Sequence, residues 1–138
     1  MTSPHEIVNP DSLAPPSGFS HAVVAGAGRT VWLGGQTAHD SSGTIQGEGV
    51  VEQFDAAASN VVVALDAAGA RPDHLVSMQI FVTDANEYRG SLSELGRVYR
   101  KHFGSHYPAT SLFEIKGLFD PAANVEILCV AVVPTDEP

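Results

Sequence analysis

Glu126 is the side chain best placed for acid–base chemistry in this sequence. It stands in the run Val125-Glu126-Ile127-Leu128, where every neighbour is apolar, and an unpaired carboxylate in such surroundings costs free energy. A carboxylate there is either a general base or water-positioning group, or a structural acid held by backbone amides or a neighbouring chain's cation. His21 comes next, because imidazole gives or takes a proton near neutral pH; on an apolar strand it serves equally well as a satisfied interface histidine. Thr110 either offers its hydroxyl to a ligand or is a β-branched strand residue.

Other constellations are weaker. His102 and His106 have a chelating spacing, but Gly104 between them breaks a helix and no third ligand is apparent, so no metal is expected. Ser111, Asp120 and the histidines lack the strand–turn–helix context of a nucleophile elbow. Gly26-Ala27-Gly28 has a dinucleotide-like spacing, yet no helix follows whose N-terminal amides would take a phosphate.

The elements that must position these groups follow from periodicity. Val51, Phe54, Ala58, Val61, Leu65 and Ala68 recur in steps of three and four, the stripe of an amphipathic helix. Gly69 ends it as a left-handed cap, and Pro72 keeps it from restarting. A second helix spans about Asn86 to Phe103, with Tyr88, Leu92, Leu95, Tyr99 and Phe103 on one side. Asp84 or Asn86 caps its start and Gly104 its end. Residues His21 to Ala27 and Thr30 to Thr37 read as strands flanking Gly28-Arg29, which suggests a hairpin. Leu75 to Thr83 alternates, with Val76, Met78, Ile80 and Val82 on one face. Thr110 to Lys116 and Val125 to Val133 complete a β-β-α-β-α-β-β order, an α+β sheet with both helices on one face.

The last strand is apolar on both sides: Val125, Ile127, Cys129, Ala131 and Val133 on one, Leu128, Val130 and Val132 beside Glu126 on the other. Two helices cover only one face, so a second subunit is expected on the other.

With 138 residues and 43% hydrophobic content, the chain is long and apolar enough for one globular domain, residues 1–138, with a real core. The formal charge of −9 repels phosphate backbones, and Arg97, Arg100 and Lys101 read as a solvated helix face, so nucleic acid is not an expected partner. No apolar run is long enough to span a bilayer, and Met1 to Glu6 carries no secretory pattern. The lone Cys129 makes no internal disulfide and reads as a buried thiol. A cytoplasmic protein without membrane association is expected.

Several blocks together resemble the Rid family, the YjgF-type reactive intermediate deaminases also labelled endoribonuclease L-PSP. They are Asn9-Pro10, Gly18 to Val23, Leu33-Gly34-Gly35-Gln36, Glu52-Gln53, Asn60, Ala67-Ala68-Gly69, Phe81-Val82-Thr83-Asp84, Tyr99 to Phe103, Tyr107-Pro108-Ala109 and Val125-Glu126-Ile127. They run collinearly from about Val8 to Pro134. The resemblance implies a chorismate-mutase-like fold, a homotrimer and a small-molecule cleft between subunits. It also implies hydrolysis of enamines and imines derived from amino acids, with no cofactor and no metal.

The same resemblance assigns site residues, and there the chain departs from the pattern. Gly35 and Gln36 match the cleft turn and Glu126 the water-positioning glutamate. The substrate-clamping arginine is replaced by Thr110, the cleft tyrosine by Phe19, a cysteine by Leu112 and a helix asparagine by Gly96. The loop between Leu118 and Glu126 is one residue longer. Loss of a bidentate, charge-assisted contact in a desolvated site costs about 2–5 kcal/mol, so turnover of the usual imino acids should be weak. Phe19, Leu112 and Trp32 would line a greasier cleft, with His21 beside it. The expectation is a deaminase-like hydrolase with Glu126 as base; the alternative is a non-catalytic small-molecule-binding or chaperone-like trimer.

Overall fold

The computed structural model describes residues 3–136. Its main sheet has four strands in the order β3-β6-β4-β5: β3 (Gly28–Trp32), β4 (Leu75–Val82), β5 (Ala109–Glu114) and β6 (Val125–Pro134). β6 lies between β3 and β4 and runs antiparallel to both, while β4 and β5 are parallel. Parallel strands need a crossover, and here it is helical. The helices are α1 (Val50–Ala67), α2 (Ala85–Gly90) and α3 (Leu92–Phe103). α1 packs on both α3 and β6, giving a layer of helices over a mixed sheet.

α1 forms where the stripe requires. Phe54, Ala57, Ala58, Val61 and Leu65 are each 1% exposed or less, and a side chain the size of Phe54 or Leu65 contributes about 1.5–3 kcal/mol on burial. Gly69 closes the helix at φ +79°, with Ala70 N–H donating to Leu65 O at 2.9 Å. Gln53 is the one polar group in the stripe. Its amide donates to Gly47 O and Ala122 O and accepts from Asn124 N–H, pinning the helix start to the loop that leads into β6.

The structure corrects the sequence reading at four places. No hairpin forms about Gly28-Arg29. β2 (Ala22–Val24) instead pairs with a short β1 (Glu6–Val8) as a separate two-stranded ladder, and β3 pairs with β6 from Gly28↔Pro134 to Trp32↔Val130. The ten-residue β6 offers a long apolar partner on both edges, and that non-local pairing outweighs the local turn. The second helix breaks at Gly90-Ser91, where Gly is entropically costly and Ser competes for backbone hydrogen bonds. A β-bulge between Leu75 and Ser77 buries Leu75 in place of Val76. Residues 33–36, read as regular strand, continue β3 irregularly, with Leu33 N–H bonded to Cys129 O and Gln36 N–H to Ile127 O.

The two faces of β6 differ as its sequence implies. Val125, Ile127, Cys129, Ala131 and Val133 are buried beneath the helices, and burial pushes the Cys129 thiol up to about 12. Leu128, Val130 and Val132 lie half-exposed on the other face, where Trp32, paired with Val130, is 77% exposed. Among the described residues no helix covers this face.

Candidate functional site

A cavity of about 570 Å³ opens between α2, α3 and β5. Its floor is Phe54, Ile80 and Leu95, and its rim carries Phe19, Leu92, Thr110 and Leu112. Three tyrosines add polarity: Tyr88, Tyr99 and Tyr107. Tyr99 and Tyr107 stack with centroids 4.9 Å apart, and Tyr99 donates its hydroxyl to His106 O at 2.7 Å. Burial raises the pKa of Tyr99 and of Tyr88, so both remain neutral donors. The cavity is of a size that suits a small organic ligand.

β5 supplies two of these groups because side chains alternate along a strand. Thr110 pairs with Met78 and Leu112 with Ile80, so both point to the helix side. Thr110 donates its hydroxyl to Pro108 O at 2.7 Å. Its one proton is therefore committed to the backbone, leaving an acceptor and a methyl group towards a ligand. The 18–21 segment is tied to β5 by Ser20, whose N–H donates to Pro108 O and whose hydroxyl donates to Tyr107 O. That anchorage brings Phe19 to the cavity mouth, and Phe19 meets the His21 ring edge-on at 5.1 Å. His21 is occupied structurally: its Nε2 bonds Ala14 O at 2.7 Å and its N–H donates to Asn9.

The remaining predicted residues sit together elsewhere. Gln36 exchanges both backbone hydrogen bonds with Ile127, at 2.8 and 2.9 Å, which fixes the Gly34-Gly35 turn beside Glu126. A Cβ built on Gly35 would lie 2.7 Å from Cδ and Oε2 of Glu126, so only glycine permits this approach. Among the described residues the Glu126 carboxyl has no hydrogen-bond or ionic partner, and the Gly34 and Gly35 amides donate to nothing. This arrangement places a half-buried carboxyl beside two backbone amides without partners among the described residues.

The two groups lie on opposite faces of the sheet. Glu126 pairs with Phe81 and Thr110 with Met78, and Phe81 and Met78 point to opposite sides of β4. A single subunit therefore does not bring Glu126, Gly35 and Gln36 to Phe19, Thr110 and Leu112. Trp32 lies on the open face beside Val130 and does not line this cavity. His102 bonds Asp55 and His106 bonds Leu75 O, so the two histidines have different partners.

The residue that sequence reasoning missed is Arg100. Its Nη1 lies 3.3 Å from the position a Cβ would take on Gly96, and among the described residues it is the one charged side chain lining the cavity. The available signal was a glycine one helical turn before a long cation, with nothing at position 96 to hold the guanidinium off the helix.

A family described as endoribonuclease L-PSP matches residues 9–133. The chain is 31% identical over 115 residues to the 2-iminobutanoate/2-iminopropanoate deaminase of Capra hircus, covering 83% of this chain and 79% of that one. It is 32% identical over 125 residues to the RutC family protein UK114 of Drosophila melanogaster, covering 89% and 85%. Among solved structures, the Rid-family protein YyfB of Yersinia pestis superposes with a TM-score of 0.83 at 28% identity, covering 94% of this chain and 98% of that one. Rv2704 of Mycobacterium tuberculosis, of the YjgF/YER057c/UK114 family, gives 0.64 at 30% identity, covering 94% and 99%.

Proposed function

The chain belongs to the Rid family, also described as endoribonuclease L-PSP, and from that premise we propose that it is a hydrolytic deaminase of imines or enamines, working in clefts between the subunits of a homotrimer. The single observation that carries this reading is the Glu126 carboxyl seated against Gly35 without an internal partner. Relatives carrying the name 2-iminobutanoate/2-iminopropanoate deaminase support the reaction class.

The chemistry needs only the chain's own groups. A water bound by Glu126 adds its oxygen to the imine carbon, and the carboxylate takes one of the water's protons. The Gly34 and Gly35 amides face charge that develops beside them. The carboxyl passes that proton to nitrogen, giving a carbinolamine. The carboxylate then moves the remaining proton of the new hydroxyl to nitrogen as the carbon–nitrogen bond breaks, so ammonia leaves and the added oxygen becomes the keto oxygen of the product. No redox step and no cofactor enter this balance.

The trimer supplies what one subunit lacks. Trp32, Val130 and Leu128 form an apolar face without internal cover, and exposed patches of that kind mark interfaces. Phe119, fully exposed in the 117–124 loop, is positioned to reach a neighbour. In such an assembly the open face of one subunit, carrying Glu126, meets the β5 edge of the next, where the Thr110 cavity opens. Ammonia release from freshly generated 2-imino acids tests the reading. Release faster than spontaneous hydrolysis is expected, and release at the spontaneous rate over a range of side chains would overturn it.

A second reading draws on Phe19, Thr110 and Leu112, three cleft positions that carry no charge and no free hydroxyl proton. With these the trimer would bind a small molecule without turning it over. Glu126→Gln separates the two readings, because a pure binder has no turnover to lose.

A further inference from the structure

We propose that Arg100 is the specificity-determining group of the cleft, taking the carboxylate of a ligand whose body is apolar and flat. The inference deepens the proposed function and rests on the α3–β5 cavity being the ligand site. The cavity is walled by Phe19, Leu92, Leu112 and the tyrosines, which suit an aromatic or branched apolar body. Arg100 is the one charged group on that wall. Among the described residues its guanidinium has no acidic partner, whereas neighbouring cations are engaged. Lys101 binds Asp55 at 3.0 and 3.2 Å, Arg97 reaches Ser93 at 3.4 Å and Arg89 bonds Asn86.

The position of the guanidinium is built into the helix. Residues one turn apart are neighbours on a helix surface, and Gly96 offers no side chain, so Arg100 lies down over it with Nη1 3.3 Å from the missing Cβ. Any side chain at position 96 would crowd that placement. The last turn of α3 also suits a cation. Against a chain of net charge −9, a carboxylate needs one local positive group to enter an apolar cavity, and a planar fork holds it bidentately.

The probes are phenylpyruvate, which carries the carboxylate, and phenylpyruvamide, which does not, each titrated into the full-length protein by calorimetry. Arg100→Gln should weaken phenylpyruvate about 10- to 100-fold and leave the amide within about twofold. Arg100→Lys should fall between. Thr110→Arg added to Arg100→Gln should recover carboxylate binding, since it places a guanidinium on the same cavity wall. Equal effects on both probes, no effect on either, or no binding of phenylpyruvate by the wild type would each overturn the assignment. Because calorimetry reads binding alone, the two proposals fail separately. Arg100-dependent binding without ammonia release removes the deaminase, and ammonia release unaffected by Arg100→Gln removes the carboxylate clamp.

Discussion

The carboxyl group of Glu126 lies so close over Gly35 that a Cβ there would stand 2.7 Å from its Oε2, while a Cβ on Gly34, one residue earlier, would meet nothing within 4 Å. Neither glycine needs a positive φ, so the contrast between them is steric and not a matter of backbone strain.

Gly35→Ala should therefore displace the Glu126 side chain and lower ammonia release by about 10-fold or more, with little loss of stability. Gly34→Ala should leave turnover near that of the wild type. Steady-state assays of the two variants beside their melting temperatures check this. Equal losses in both would remove the steric link between Gly35 and the base.

Charging the open face should split the assembly. Trp32→Glu or Val130→Glu puts a carboxylate on the uncovered apolar side of the sheet, where a buried unpaired charge costs several kcal/mol at an interface. Light scattering on a sizing column should report three copies of the 14.5 kDa chain for the wild type and smaller species for the variants, with ammonia release lost in parallel.

Gln53 is a structural test of the same loop that carries β6 into the site. Gln53→Leu would strand the Asn124 N–H and the carbonyls of Gly47 and Ala122, which its amide now satisfies. A destabilisation of about 2–3 kcal/mol is expected from buried groups left without partners, read by denaturant unfolding.

Acid should weaken the fold through His106. Burial lowers its pKa, against a weaker upward pull from its bond to Leu75 O. The unfolded chain then binds the proton more readily than the folded one, so this contribution is fully present above the ordinary value of 6.5 and is lost as pH falls through the lower folded value. Melting temperature should drop between pH 7 and pH 5, and His106→Gln should flatten that slope. A slope unchanged by the substitution would assign the acid sensitivity elsewhere.

What the sequence disclosed follows the range of the interactions. The α1 stripe, the Gly69 stop and the Asp84 cap, which accepts from Glu87 N–H at 3.0 Å, depend on residues within a few positions of one another and were readable. The two apolar faces of β6 were also readable, because period two exposes each face directly. The pairing of β3 with β6 joins segments about a hundred residues apart, and no local pattern distinguishes it from a hairpin at Gly28-Arg29. The site was legible in part for the same reason. The family resemblance names Glu126, Gly35, Gln36, Phe19, Thr110 and Leu112 for one cleft, and the single chain holds them as two groups on opposite faces of the sheet. Arg100 was passed over as part of a solvated cationic face, since only the placed helix reveals which of three cations turns over Gly96.

The most direct test of the account is Glu126→Gln, assayed for ammonia release from a freshly generated apolar 2-imino acid and, in parallel, for binding of phenylpyruvate. The amide keeps the shape of the side chain but cannot take a proton from water, so turnover should fall at least about 100-fold while phenylpyruvate binding changes little. Turnover retained by Glu126→Gln would contradict the assignment of Glu126 as the base.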